Sequence, residues 1–118
     1  MIEKLIDKVF LTRGCVHIAH WKTHSYAEHV ALGDLYDELI DGIDKLVEAF
    51  QGIFGLVDID CLSKGECPKD IIEHLTEELT WINNNSTEIT NDIATLDNIL
   101  QELQGSYMKA LYKLKNLN

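Results

Sequence analysis

A chain of 118 residues with 46% hydrophobic residues, seven glycines and one proline is long enough for one domain with its own core and too poor in turn-formers for many short strands. Its 20 acidic residues outnumber 10 basic ones, and a net charge of −10 disfavours a polyanionic partner such as nucleic acid. No apolar stretch approaches the roughly 18 to 20 residues a membrane helix requires, so no membrane span is expected.

In chain order, Ile2, Leu5, Ile6, Val9, Phe10, Val16 and Ile18 follow a spacing of three and four that predicts a first helix from Ile2 to Trp21. Lys22-Thr23-His24-Ser25 is short and polar, and Ser25 with Glu28 forms a capping-box pattern, which implies a tight αα-hairpin. The second helix carries Leu32, Leu35, Tyr36, Leu39, Ile40, Ile43, Leu46, Val47 and Phe50, with Gly52 as its expected C-terminal cap. Residues 53–65 are irregular and read as a connection that crosses the bundle; a third helix is expected near Pro68, an N1-type proline.

From Ile72 to Leu114 the apolar positions stay almost in phase across Asn83-Asn84-Asn85-Ser86. Two readings follow. The Asn run, with Asn85 and Glu88 as a second capping box, predicts a turn between a third and a fourth helix. The unbroken phase predicts one helix of roughly 48 residues, about 72 Å long. The turn is expected, giving four helices in all.

Three cysteines, Cys15, Cys61 and Cys67, are odd in number and lack CxxC spacing, and no charged-then-apolar leader opens the sequence. Reduced thiols and a cytoplasmic location are expected. Met1 to Lys4 lead straight into the amphipathic pattern without a lysine-rich run, and direct DNA binding is not expected.

Chemistry concentrates in four histidines between His17 and His29, followed on the second helix by Asp44 and Glu48. The two carboxylates, at i and i+4, point the same way, and imidazole with carboxylate suits iron or zinc better than calcium or magnesium. His29 and Asp44 are 15 residues apart on one helix, about 22 Å along its axis, so they cannot hold one ion within one chain. If two chains pack these helices antiparallel about a twofold axis, His20 and His29 of one approach Asp44 and Glu48 of the other. A lone histidine near an apolar face is more often structural, and an Asp-x3-Glu pair is common on any helix; the weight lies in the combination.

The segment His20-Trp21, Tyr26, His29, Asp34-Leu35-Tyr36 and Ile43-Asp44-Lys45-Leu46-Val47-Glu48 resembles the signature of the Dps-type mini-ferritins. The resemblance covers roughly residues 1–52. It implies an all-α, ferritin-like four-helix bundle built from two αα-hairpins over residues 1–118. It also implies an intersubunit ferroxidase site with His20 and His29 from one subunit and Asp44 and Glu48 from its partner. Non-haem iron is then the ion, with zinc as the substitute, the partners are Fe(II) and peroxide or oxygen, and the oligomer is at least a homodimer. That family commonly has an acidic residue where this chain has Gly33. His17 and His24 are additional ligand candidates, Trp21 is expected to pack beside the site, and the His74/Glu78 pair lacks the further histidines a haemerythrin would need. The alternative is a non-enzymatic helical interaction or assembly protein with a degenerate metal site, supported by the in-phase stripe from Ile72 to Leu114.

Overall fold

The computed structural model describes residues 1–117, in the order α1 (Ile2–Lys22), α2 (Tyr26–Phe54), α3 (Ile71–Thr90) and α4 (Ala94–Asn116). Helix α1 forms because Ile2, Leu5, Ile6, Val9 and Val16 share one face, which is buried. The predicted cap of α2 is present: Ser25 Oγ accepts from the Glu28 N–H at 3.2 Å. Inward-facing Leu32, Leu35, Leu39, Ile43 and Leu46 then run down the 29-residue helix, whose length of about 43 Å sets the 44 Å long axis of the molecule.

Helix α2 does not stop at Gly52. It continues through Phe54, whose ring packs on Phe50 with centroids 4.7 Å apart, and ends at Gly55. At Gly55, and not at Gly52, the backbone takes a positive φ, of 87°, which glycine adopts without a Cβ penalty. Helix α3 likewise begins three residues after Pro68, because Asp70 supplies the cap by accepting from the Glu73 N–H at 3.1 Å.

The turn expected at Asn83–Ser86 is absent, and so is the single long helix; both expectations are corrected. Asn83–Ser86 lie inside α3, where Asn85 Nδ2 donates to the Trp81 carbonyl at 2.8 Å and Gln104 Nε2 donates to Asn83 Oδ1 at 2.8 Å. Buried Ile82 and Ile89, seven residues apart, keep that face on the core. The break comes at Asn91 and Asp92, both left-handed with φ of 53° and 61°, and Thr90 Oγ1 bridges it by donating to Asp97 Oδ1 at 2.5 Å. Two separate helices therefore share the stripe that had suggested one continuous assembly seam.

Around the bundle the order is α1, α2, α4, α3: α1 packs on α2 and α3, and α4 packs on α2 and α3. Residues from all four helices meet in one core, with Leu5, Leu32, Leu35, Leu75, Ile82, Leu100 and Tyr107 fully buried. The described residues form four helices and no strand.

Residues 55–70 connect α2 to α3 by running lengthwise along α1 in an extended form. The Ser63 N–H donates to Asp7 Oδ1 at 2.9 Å, Gly65 lies against Leu11, and Cys67 is disulfide-bonded to Cys15. Alternate residues of the strap thus meet every fourth residue of the helix. The spacing is physical: two extended residues span about 6.6 Å and four helical residues about 6 Å. A Cβ on Gly65 would come within 2.7 Å of Leu11 Cδ2, so a larger residue there would have to turn the Leu11 side chain aside. The expectation of three reduced thiols is corrected, because the strap carries Cys67 onto the buried Cys15 although 52 residues separate them; Cys61 is free and exposed.

Candidate metal centre

The three-residue connection between α1 and α2 brings His20 and His29 face to face. His20 Nδ1 lies 2.6 Å from the His29 carbonyl oxygen, and His29 Nδ1 lies 2.8 Å from the His20 carbonyl oxygen. A carbonyl only accepts, so each Nδ1 carries the proton and donates it; in the neutral ring each Nε2 then holds a lone pair. The rings stack with centroids 3.7 Å apart and planes 16° from parallel. Such an Nδ1 bond to a carbonyl is the support that metal-binding imidazoles commonly have.

Gly33, one turn beyond His29, lies under the His20 ring. A Cβ there would stand 2.9 Å from His20 Cε1 and 3.1 Å from His20 Nδ1. The glycine in a position where the resembling family commonly has an acid therefore leaves room for the His20 ring where it stands, a role that the sequence pattern did not disclose.

His17 stacks on Tyr36 at 3.9 Å and Trp21 leans on His17 at 4.4 Å, while His20 meets the Tyr36 ring edge at 5.4 Å. Trp21 touches the cluster through His17 and remains 68% exposed. His24, exposed in the turn, takes no part in these contacts. Asp44 and Glu48 are exposed further along α2, Asp44 at the mouth of an apolar cleft formed with Ile6, Phe10, Val47, Val57 and Ile59. The structure thus joins His20 to His29 and leaves Asp44 and Glu48 further along α2, about 22 and 28 Å from His29 at the helical rise. Among the described residues no three His, Cys, Asp or Glu side chains of one chain converge on a point that could hold a metal ion.

A second polar cluster lies inside the bundle. His74 Nε2 is 2.7 Å from Thr12 Oγ1 and 3.7 Å from Glu78 Oε1, and the Tyr107 hydroxyl donates to Glu78 Oε2 at 2.6 Å. Burial raises the Glu78 pKa, against the lowering effect of hydrogen bonds from Tyr107 and Thr12 and of nearby His74 and Lys8. Burial and the Glu78 charge push the Tyr107 pKa well above its ordinary value, so the phenol stays protonated. The i, i+4 spacing of His74 and Glu78 was visible in the sequence, but the contributions of Thr12 and Tyr107 depend on α1 and α4 packing against α3.

A profile described as "Family of unknown function (DUF5856)" matches residues 20–114, most of the chain and all the residues of the histidine pair and both carboxylates; the chain belongs to that family. No curated protein and no solved structure matches it. No helix among the described residues is long and apolar enough to cross a membrane.

Proposed function

We propose that this member of a family of unknown function is a Dps-like protein that takes Fe(II) as substrate at sites shared between two copies of the chain and oxidises it with peroxide or oxygen. The observation that carries the reading is the reciprocal bonding of His20 and His29. It fixes both imidazoles in the tautomer whose Nε2 is free to ligate, on an outer edge of the α1–α2 hairpin. A short connection between α1 and α2, another between α3 and α4, and a long strap between α2 and α3 support a ferritin-like arrangement.

In this reading His20 and His29 bind one side of the ion, and Asp44 and Glu48 of the partner subunit bind the other. Two carboxylates balance the charge of Fe(II) and favour Fe(III) further, which lowers the cost of oxidation. Each peroxide accepts one electron from each of two Fe(II) ions and, with two protons, leaves as two waters. Zinc, with the same donor preferences but no redox step, would occupy the site as an inhibitor. A cytoplasmic setting belongs to the proposal, and there the Cys15–Cys67 bond would be exposed to reducing thiols.

The test is anaerobic Fe(II) titration of the purified chain, then peroxide addition while ferric absorbance is followed. Two irons or more per dimer and fast oxidation are expected, with both lost in Asp44→Asn and His29→Ala variants that keep their helical circular dichroism. Unchanged oxidation in these variants, or no binding above a buffer control, would reject the reading and favour a non-enzymatic assembly protein.

A further inference from the structure

Arg13 is the chain's one arginine, and among the described residues its Nε has no acceptor. Its guanidinium carbon lies 5.8 Å from the centre of the Tyr36 ring, its Nε is buried with no hydrogen-bond partner, and among the described residues it enters no ion pair. A dehydrated arginine donor with nothing to donate to is uncommon, because the desolvation is not offset. Tyr36 is itself held by His17, stacked on it at 3.9 Å, so the arginine rests against a fixed plane.

The level of Arg13 on the hairpin matters. Under the proposed twofold reading, on which this inference rests, antiparallel α2 helices place His29 opposite the partner's Asp44. The axis then passes midway between those positions, between Tyr36 and Asp37. Arg13, beside Tyr36, is therefore next to the axis. Asp37 is exposed, forms no ion pair among the described residues, and would face the partner's Asp37 in a complex of two chains that each carry −10. Like charges meeting at an axis oppose association unless a cation lies between them.

We propose that Arg13 of each subunit pairs with Asp37 of the partner subunit, forming two equivalent ion pairs beside the axis. The occupant of this face is a second copy of the chain. The symmetry makes the contact reciprocal, so one residue pair is used twice. Its consequence is register: a slip of α2 by one turn would separate Arg13 from the partner's Asp37 and at the same time carry the histidines away from the carboxylates.

Sedimentation of the full-length chain over a concentration series tests the pairing. Arg13→Glu and Asp37→Arg should each weaken the dimer by about thirtyfold or more, and the double exchange should return it to within about threefold of the parent. Arg13→Gln, with circular dichroism as the check on folding, guards against misfolding of the charge-reversed chain. Single variants that dimerise like the parent, a double exchange no better than the singles, or a monomeric parent would each overturn the pairing. Fe(II) titration of the same proteins separates the two readings. Coupled charge exchange without iron binding would leave the pairing intact and reject the ferroxidase. Iron bound at a dimer indifferent to the exchange would do the reverse.

Discussion

His20 and His29 bond reciprocally, each ring Nδ1 to the other's main-chain carbonyl, at 2.6 and 2.8 Å, so that neither imidazole can turn without releasing its partner. The pair ties the last turn of α1 to the first turn of α2, and the His20 ring is packed over the bare backbone of Gly33.

Gly33→Ala should consequently separate stability from the site. Alanine in place of a helical glycine favours the helix by about 0.5–1 kcal/mol, but its Cβ would stand 2.9 Å from His20 Cε1 and displace the ring. The expected outcome is a melting temperature that is unchanged or slightly higher, with changed imidazole proton resonances and at least tenfold weaker Fe(II) binding. Parent-like imidazole resonances in the variant would contradict the role assigned to Gly33.

Tyr107→Phe removes the phenol that donates to the buried Glu78 carboxylate. A lost donor to a buried acceptor costs about 1–3 kcal/mol. Urea denaturation at neutral pH should show that loss, and a difference below about 0.5 kcal/mol would mean that Glu78 finds another donor.

The Glu78 carboxyl also sets a pH dependence. Burial raises its folded pKa above the ordinary carboxylate value, so the folded chain holds a proton there more tightly than the unfolded chain does. By linkage, the contribution of this group is greatest below the unfolded pKa and is lost as pH rises through the folded one. Glu78→Gln should flatten that part of the stability profile above the ordinary carboxylate pKa. Denaturant midpoints measured from pH 4 to 8 check it; the same slope in parent and variant would locate the titration elsewhere.

Reduction of Cys15–Cys67 opens a loop whose ends are 52 residues apart in sequence. In the chain-entropy account, a closure of that size contributes about 4 kcal/mol. Cys15→Ser, or the parent in excess dithiol, should melt at a temperature lower by roughly 10 °C or more. Hydrogen exchange should rise first in residues 63–67, where the strap loses its anchor to α1. Unaltered exchange there would mean that the Asp7 and Leu11 contacts hold the strap unaided.

The position of the α3–α4 break predicts opposite effects from glycine at two polar sites. Asn84→Gly, in the exposed interior of α3, should destabilise by a few tenths to about 1 kcal/mol, whereas Asp92→Gly, at a left-handed φ of 61°, should be neutral or stabilising. Thermal melts of the two variants compare them directly, and the reverse ranking would return the turn to the Asn run.

Periodicity and caps, being local, were determined by the sequence itself. The spacing of Ile2, Leu5, Ile6 and Val9 made α1 legible, and Ser25 with Glu28 marked the start of α2, because a helix face and a capping bond involve residues three or four apart. The candidates His20 and His29 could be named for the same reason, since the hairpin joining them is short. Tertiary structure alone decided the rest. Asn83–Ser86 look like a turn locally, but Ile82 and Ile89 on the core and Gln104 from α4 keep them helical. Cys67 reaches Cys15 because an extended strap matches the helical repeat of α1, and Thr12, His74, Glu78 and Tyr107 meet because three helices bury them together. Such contacts carry no local signature: their stabilisation depends on the water excluded when distant segments close on one another.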